Sequence, residues 1–172
     1  SSTSRGLGDV YKRQGIASGF GEIDRLTSGW QPSDLIIVAA RPGMGKTAFT
    51  LSMARNISVE NNMPVAFFSL EMSAIQLITR LISSETGLNS EKLRTGKLEK
   101  FEWELLNVKV TNLENAPLYI DDTPSLSIFE LRAKARRLSS QFGIKLIVVD
   151  YLQLMTLGSS QKSGNREQEI ST

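Results

Sequence analysis

The residues best suited to chemistry lie in one glycine-rich segment, ARPGMGKT, at positions 40–47. It matches the phosphate-binding loop pattern G-x-x-x-x-G-K-[ST], with alanine in place of the first glycine. Glycine lets successive backbone N–H groups point at one phosphate, and the following helix adds its positive dipole end. Lys46 is suited to neutralise β- and γ-phosphate charge, and Thr47 to ligate Mg²⁺. The candidate phosphate-binding residues are Ala40, Arg41, Pro42, Gly43, Met44, Gly45, Lys46 and Thr47.

Carboxylates supply the second half of a phosphate-transfer site. Asp150 follows four apolar residues, and such a strand carries its carboxylate to the sheet edge, where it can hold Mg²⁺. The structural alternative is an aspartate that caps a turn. Hydrolysis also needs a group that orients or deprotonates water, and Glu71, Asp121 and Asp122 all follow predicted strands. Glu71 is preferred as the catalytic base because it reaches furthest, and its alternative role is that of a carboxylate favoured by a helix dipole.

Alternating strands and helices are predicted to position these groups. Short apolar runs predict buried strands at 35–39, 65–70, 118–120 and 146–150. Apolar residues at helical spacing predict helices at 46–60, 73–85, 88–115 (broken near 95–96) and 127–142. This order predicts an α/β fold whose parallel sheet is covered on both faces and binds ligands at the carboxyl ends of its strands. The strand–loop–helix order also argues against a chance Gly-Lys-Thr turn.

The bulk composition is that of an ordinary globular domain. The chain has 172 residues, of which 40% are hydrophobic and 22% charged, and its net charge of +2 is too small to indicate a nucleic-acid partner. It contains no cysteine and no histidine, which excludes disulfides, thiol catalysis and the usual zinc sites, and fits a cytoplasmic protein. No apolar run approaches the ~20 residues that span a membrane.

Three further segments each allow two interpretations. Residues 4–14 match the translation of a sequencing-library adapter, so we exclude residues 1–14 as a non-native tail and start the native sequence near Gly15. A genuine polar tail is the alternative.

The basic residues within 132–137 could meet DNA or another subunit, but a solvated helix face is preferred. Trp103 and its apolar neighbours are predicted to be core residues rather than a base-stacking platform. These neighbours are Leu105, Leu106 and Val110.

Several long segments together resemble one known family. In chain order they are QPSDLIIVAARPGMGKT, FFSLEM, KLRTGKL, YIDD and VVDYLQLM. They are similar to the ATPase domain of the bacterial replicative DNA helicase, the DnaB family, from about Gly15 to Thr172. In that family alanine is usual at the first position of the loop, so Ala40 fits the pattern.

The resemblance implies a RecA-like P-loop NTPase core, truncated here on its C-terminal side. It implies ATP and Mg²⁺ bound between the subunits of a homo-hexamer, single-stranded DNA in the centre, and a helicase loader and primase as partners. Carried over by position, Lys46 and Thr47 bind phosphate and Mg²⁺, Asp150 is the Mg²⁺ carboxylate, and Glu71 is the catalytic base. Residues 159–166 match a loop near the central channel.

The resemblance also implies that several functional parts of the family's helicases lie outside this sequence. The family's N-terminal domain, linker helix, glutamine sensor, main DNA loop and trans-acting basic residues have no counterpart here, so we expect this chain alone to hydrolyse ATP negligibly. One alternative function is that of another RecA-fold ATPase, in recombination or signalling, which shares the phosphate loop and Asp150. A non-catalytic binding module is the third hypothesis, and the intact Lys46, Thr47, Glu71 and Asp150 argue against it.

Overall fold

The computed structural model describes residues 15–155, so the predicted tail at 1–14 and the predicted channel loop at 159–166 lie outside the described residues. The helices are α1 (Gly21–Thr27), α2 (Lys46–Arg55), α3 (Ala74–Thr86), α4 (Ser90–Thr95), α5 (Lys100–Asn115) and α6 (Ile128–Phe142). The strands are β1 (Val65–Ser69), β2 (Leu118–Asp121) and β3 (Leu146–Asp150). A π-helical turn, Asn56–Glu60, extends α2, and a 3₁₀ turn, Leu152–Leu154, follows β3. No helix in the described part of the chain is long and apolar enough to cross a membrane.

The three strands form one parallel sheet in the order β2–β1–β3, which confirms the predicted α/β class. The central strand, β1, is buried along its whole length, as its continuous apolar sequence predicts. Its register places Phe68 beside Asp121 of β2 and Ser69 beside Asp150 of β3. The carboxyl ends of all three strands therefore meet at one edge of the sheet.

Side chains of β1 alternate between two apolar layers, as the period of a strand requires. Val65 and Phe67 pack with α2, α3 and β3 in the larger cluster. Ala66 and Phe68 pack with Leu126 and the inner face of α6. Burial on both faces fixes the helices against the sheet, because each fully buried apolar side chain contributes about 1.5–3 kcal/mol. The inner residues of α2 and its π-helical extension are Leu51, Met53, Ala54 and Ile57.

The residues that precede the phosphate loop support α2 from its other side. Phe20 stacks on Phe49 of α2 with 4.9 Å between ring centroids. The indole N–H of Trp30 donates to the sulfur of Met53 at 3.1 Å. This second layer holds the first turns of α2, where the loop ends, between the N-terminal segment and the sheet.

The predicted strand at 35–39 is wrong for the described structure. These residues belong to no strand, and the side chains of Leu35 and Ile37 are 87% and 80% exposed. An apolar sequence favours an extended backbone, but a strand also needs a neighbour that pairs its N–H and C=O groups. The sheet ends at β3, and within residues 15–155 no strand pairs with 35–39.

The prediction that α5 contributes its aromatic residue to the core is also wrong. Trp103 and Leu105 are exposed, whereas Leu106 and Val110 are half-buried beside α3 and α4. The apolar residues of α5 are spread around the helix rather than confined to one stripe, so one face alone can pack. The break between α4 and α5 falls at Gly96, as the sequence predicts.

Candidate phosphate-binding site

The phosphate loop makes a tight turn immediately before α2. The backbone N–H of Met44 donates to the carbonyl of Arg41 at 3.2 Å, which closes a turn with Pro42 and Gly43 at its centre. The φ of Gly43 is +75° and that of Gly45 is +86°. A Cβ at either position would meet no other atom within 4 Å, so glycine is required for its backbone conformation and not for space.

Lys46 and Thr47 occupy the first turn of α2 and both contact Asp150 at the end of β3. The Thr47 hydroxyl donates to Asp150 Oδ2 at 2.7 Å, across 103 positions of sequence. The Lys46 ammonium lies 3.3 Å from Asp150 Oδ1. The structure therefore brings together three residues that the sequence analysis selected from two separate motifs.

Asp150 is suited to a cation because its charge is buried and only partly satisfied. Its side chain is 2% exposed, and Oδ1 accepts no hydrogen bond of acceptable geometry within residues 15–155, although the Lys46 ammonium is near. The Lys46 ammonium is the charge partner of Oδ1 in this structure, and the lone pairs of Oδ1 can still accept a hydrogen bond or ligate a cation. Thr47 and Asp150 offer the oxygen ligands that Mg²⁺ prefers. In the described part of the chain no three acidic, histidine or cysteine side chains cluster to hold a metal.

Tyr151 belongs to the same site, and the sequence analysis missed it. The Lys46 ammonium lies 3.8 Å from the centroid of the Tyr151 ring, within the range of a cation–π contact. The signal available in the sequence was an aromatic residue directly after the strand-ending Asp150. Residue type alone does not show that the chain leaves β3 towards α2.

The three other candidate carboxylates have different environments. Glu71 is exposed and lies two residues beyond β1, at the sheet edge where β3 also ends. Asp122 accepts a hydrogen bond from the backbone N–H of Ala74 at 2.8 Å, at the start of α3. Asp121 accepts from the Lys134 ammonium at 2.7 Å and from the backbone N–H of Thr123 at 3.0 Å.

The contacts of Asp121 make it a poor base. Burial alone would raise the pKa of its carboxyl, but hydrogen bonds from Lys134 and Thr123 outweigh burial and lower the pKa below its ordinary value. A carboxylate whose pKa is lowered has less affinity for a proton from water. Within residues 15–155, Glu71 is thus the candidate whose carboxylate neither binds a helix end nor forms an ion pair.

Most of the basic residues that the sequence analysis discussed are exposed, and one of them is in an ion pair. Arg41 in the loop and Arg80 on α3 are not buried. On α6, Lys134 is paired with Asp121, whereas Arg132 and Arg136 are exposed. The interpretation of the α6 charges as a solvated face stays a prediction, because exposed arginines would also suit a face that meets DNA or another subunit.

The structure has a glycine loop that opens a helix, and the lysine and threonine after that loop contact an aspartate at the end of a parallel strand. This arrangement defines a P-loop nucleotide-binding protein of the α/β class. A family model described as the DnaB-like helicase C-terminal domain matches residues 15–172, and the chain belongs to this family.

Relatives with curated names agree with that assignment. The replicative DNA helicase DnaB of Geobacillus stearothermophilus is 53% identical over 157 residues, which are 91% of this chain and 34% of that protein. The replicative DNA helicase DnaC of Bacillus subtilis is 48% identical over the same shares. This chain therefore spans about a third of the length of these relatives.

Solved structures show the same fold. One of them, the ATPase domain of a related protein, superimposes with a TM-score of 0.84 at 31% identity, over 99% of this chain and 63% of that chain. A DnaB-like replicative helicase, solved in a study of its interactions with primase, has a TM-score of 0.82 at 31% identity and covers 99% of this chain and 43% of its own. The RecA-like ATPase core that the resemblance implied is thereby confirmed as the fold.

Proposed function

We propose that residues 15–172 are part of the ATPase domain of a replicative DNA helicase. In the intact protein, ATP hydrolysis would drive translocation on single-stranded DNA and unwinding of duplex DNA. The convergence of Lys46, Thr47 and Asp150 carries this proposal, because it supplies the charge and oxygen ligands of an ATPase site. Another RecA-fold ATPase would use the same three groups, but relatives about 50% identical are named replicative helicases, which favours unwinding.

The loop residues 40–47 would bind the phosphates of ATP. Positive φ at Gly43 and Gly45 gives a backbone in which consecutive N–H groups can form an anion-binding concavity. The N-terminus of α2 adds its dipole. Lys46, whose side chain is 25% exposed, is accessible to a phosphate group and would neutralise part of its charge.

Thr47 and Asp150 would hold Mg²⁺. The Thr47 hydroxyl donates its hydrogen to Asp150, so its lone pairs remain available to a metal ion. Asp150 Oδ1 offers an anionic oxygen, directly or through water. When bound, Mg²⁺ would neutralise the charge that develops on the phosphate oxygens during transfer.

Glu71 would act as the catalytic base that orients or deprotonates the attacking water. Its support is position and exclusion: it follows the central strand at the edge where Asp150 lies, while Asp121 and Asp122 are bound to other groups. General-base catalysis typically contributes about 10²–10⁴ in rate.

The partners of the intact protein follow from the family. We propose a homo-hexamer that encloses single-stranded DNA, recruits primase and is placed on DNA by a helicase loader, in the cytoplasm. The name of one solved relative refers to primase interactions of that protein. Because ATP would sit between subunits, the described residues would form one half of each site.

The test uses the full-length protein that contains this chain. Lys46→Ala should lower ATP turnover and unwinding by about 100- to 1000-fold, since a charge that stabilises the transferred phosphate is lost. The matched control is Lys134→Ala, which removes a lysine that pairs with a strand-end aspartate away from the loop. Turnover by the control should stay within about threefold of the wild-type rate. Equal losses in both variants, or normal unwinding by Lys46→Ala, would overturn the proposed function.

A further inference from the structure

Lys46, which the proposed function assigns to phosphate binding, contacts two residues outside the phosphate loop. Its ammonium is placed between Asp150 Oδ1, at 3.3 Å, and the ring of Tyr151, at 3.8 Å from the centroid. Asp150 is the last residue of β3 and Tyr151 follows it directly, so neither partner belongs to the loop. The ammonium is therefore held by an anion on one side and by the negative face of an aromatic ring on the other.

This arrangement competes with phosphate binding, whereas the neighbouring hydrogen bond does not. Thr47 can donate to Asp150 and still offer lone pairs to a cation, so that bond can persist. The Lys46 ammonium, by contrast, has to exchange Asp150 for a phosphate oxygen. The exchange also releases Asp150 Oδ1, which accepts no hydrogen bond within the described residues.

We propose that Tyr151 is a positioning residue for Lys46. The ring of Tyr151 holds the Lys46 ammonium beside Asp150, and the ammonium leaves both partners when nucleotide binds. This inference rests on the proposed function, because it assumes that residues 40–47 bind a nucleoside di- or triphosphate. The ring stabilises the arrangement that precedes binding. It therefore lowers the affinity for Mg²⁺-nucleotide, while keeping the buried Asp150 charge paired until the cation and phosphate arrive together.

The size of the effect follows from the exposure of Lys46. Cation–π contacts at partly exposed sites contribute an amount that corresponds to about a two- to fivefold change in an equilibrium constant. Tyr151→Leu removes the ring and keeps an apolar side chain, so it should bind Mg²⁺-ADP about two- to fivefold more tightly than the wild-type chain. Tyr151→Phe keeps the ring and is the matched control, with an affinity within about twofold of the wild-type value.

A direct readout of the contact does not depend on activity. An aromatic ring shifts the NMR signals of protons that lie over its face to high field. In a chain with ¹³C-labelled lysine, one lysine should show methylene signals shifted upfield, and Lys46→Arg assigns it by removing that signal. The shift should persist in Tyr151→Phe, disappear in Tyr151→Leu, and disappear from the wild-type chain on addition of Mg²⁺-ADP.

The outcomes separate the two hypotheses. If no upfield lysine signal exists, or if it persists in Tyr151→Leu, Tyr151 does not hold Lys46 and this inference is wrong even though Mg²⁺-ADP binds. Weaker or unchanged binding by Tyr151→Leu would also overturn it. If the wild-type chain does not bind Mg²⁺-ADP, the proposed nucleotide site is wrong. If Mg²⁺-ADP saturates the chain and the shifted signal persists, the exchange is wrong and the nucleotide site stands. Tyr151→Met serves as a second ringless variant, and circular dichroism checks that each variant is folded.

Discussion

Two lysine–carboxylate–threonine groups flank the central strand, and they differ in what they leave unsatisfied. At the end of β2, Asp121 accepts from Lys134 and from the backbone of Thr123, and Lys134 also donates to the Thr123 hydroxyl at 2.7 Å. At the end of β3, Asp150 is 2% exposed and only Oδ2 accepts a hydrogen bond within the described residues. The first group is complete as a structural ion pair. In the second group Oδ1 can accept a further hydrogen bond or ligate a cation, which supports the proposal that this group binds a ligand.

The source of each lysine explains the difference. Lys134 projects from the middle of α6, a helix of 15 residues packed on the sheet, so its position is set by the fold. Lys46 is the first residue of α2 and follows Gly45, whose φ of +86° orients the loop. A lysine at the junction of a glycine loop and a helix can exchange partners at lower cost than one inside a packed helix, because fewer contacts have to change.

The largest expected effect comes from changing Glu71, the proposed base, which follows the central strand between these two groups. Glu71→Gln in the full-length protein should lower ATP turnover by about 10²–10⁴, because an amide keeps the size of the side chain and loses its basicity. Affinity for Mg²⁺-ADP should stay within about threefold, since the proposed role of Glu71 is to act on water and not to bind phosphate. Steady-state ATPase assays and equilibrium titration with a fluorescent ADP measure the two quantities.

The matched control for Glu71 is Asp121→Asn. Asp121 follows the neighbouring strand but is paired with Lys134, so its amide variant should keep turnover within about threefold. If Asp121→Asn lost hydrolysis and Glu71→Gln kept it, the comparison between the two strand ends would be reversed and Asp121 would be the better candidate for the base.

Much of the site was predictable because its signals are local in sequence. The loop, its helix and Asp150 each follow from short patterns, and the parallel sheet brings their ends together by topology. Their convergence within hydrogen-bonding distance confirms that the residues are neighbours. Their roles in binding and catalysis stay predictions, as does the role of Glu71.

What the sequence did not predict depends on contacts between distant segments. Strand 35–39 was predicted from composition, but pairing requires a neighbour, and Leu35 remains exposed without one in the described sheet. The sequence favoured Glu71 only by its longer side chain, and the placement of Lys134 and Ala74 is what separates Asp121 and Asp122 from it. The positions of α3 and α6 relative to the end of β2 supply that information, and no short pattern encodes them.

A smaller effect compares the two threonines through stability. Thr47→Val keeps the shape of the side chain and removes the hydrogen bond to the buried Asp150, so it should lower the free energy of unfolding by about 1.5–3 kcal/mol. Thr123→Val leaves the backbone donor to Asp121 in place and should cost less than about 1 kcal/mol. Urea unfolding of this chain at pH 7 measures both losses. Equal losses would show that Asp150 is no more dependent on its partner than Asp121.

The smallest expected effect is the pH dependence of the pair at β2. Burial raises the pKa of Asp121, but hydrogen bonds from Lys134 and Thr123 prevail and lower the pKa in the folded protein below the ordinary value of 3.8. The unfolded state then binds the proton more readily, so the stabilisation is present above pH 3.8 and disappears as the pH falls through the folded-state pKa. Because the pair is partly exposed, a double-mutant cycle of Asp121→Asn and Lys134→Ala should give a coupling of about 0.5–1 kcal/mol at about pH 6, decreasing towards zero at acid pH. The cycle cancels the titration of other carboxylates. For two of these, hydrogen bonds lower the pKa: the main donor to Glu102 is Lys92, and the main donor to Glu130 is the Ser127 backbone N–H. A coupling that is independent of pH, or one larger than the loss in Thr47→Val, would show that the β2 pair is not the modest structural contact described above.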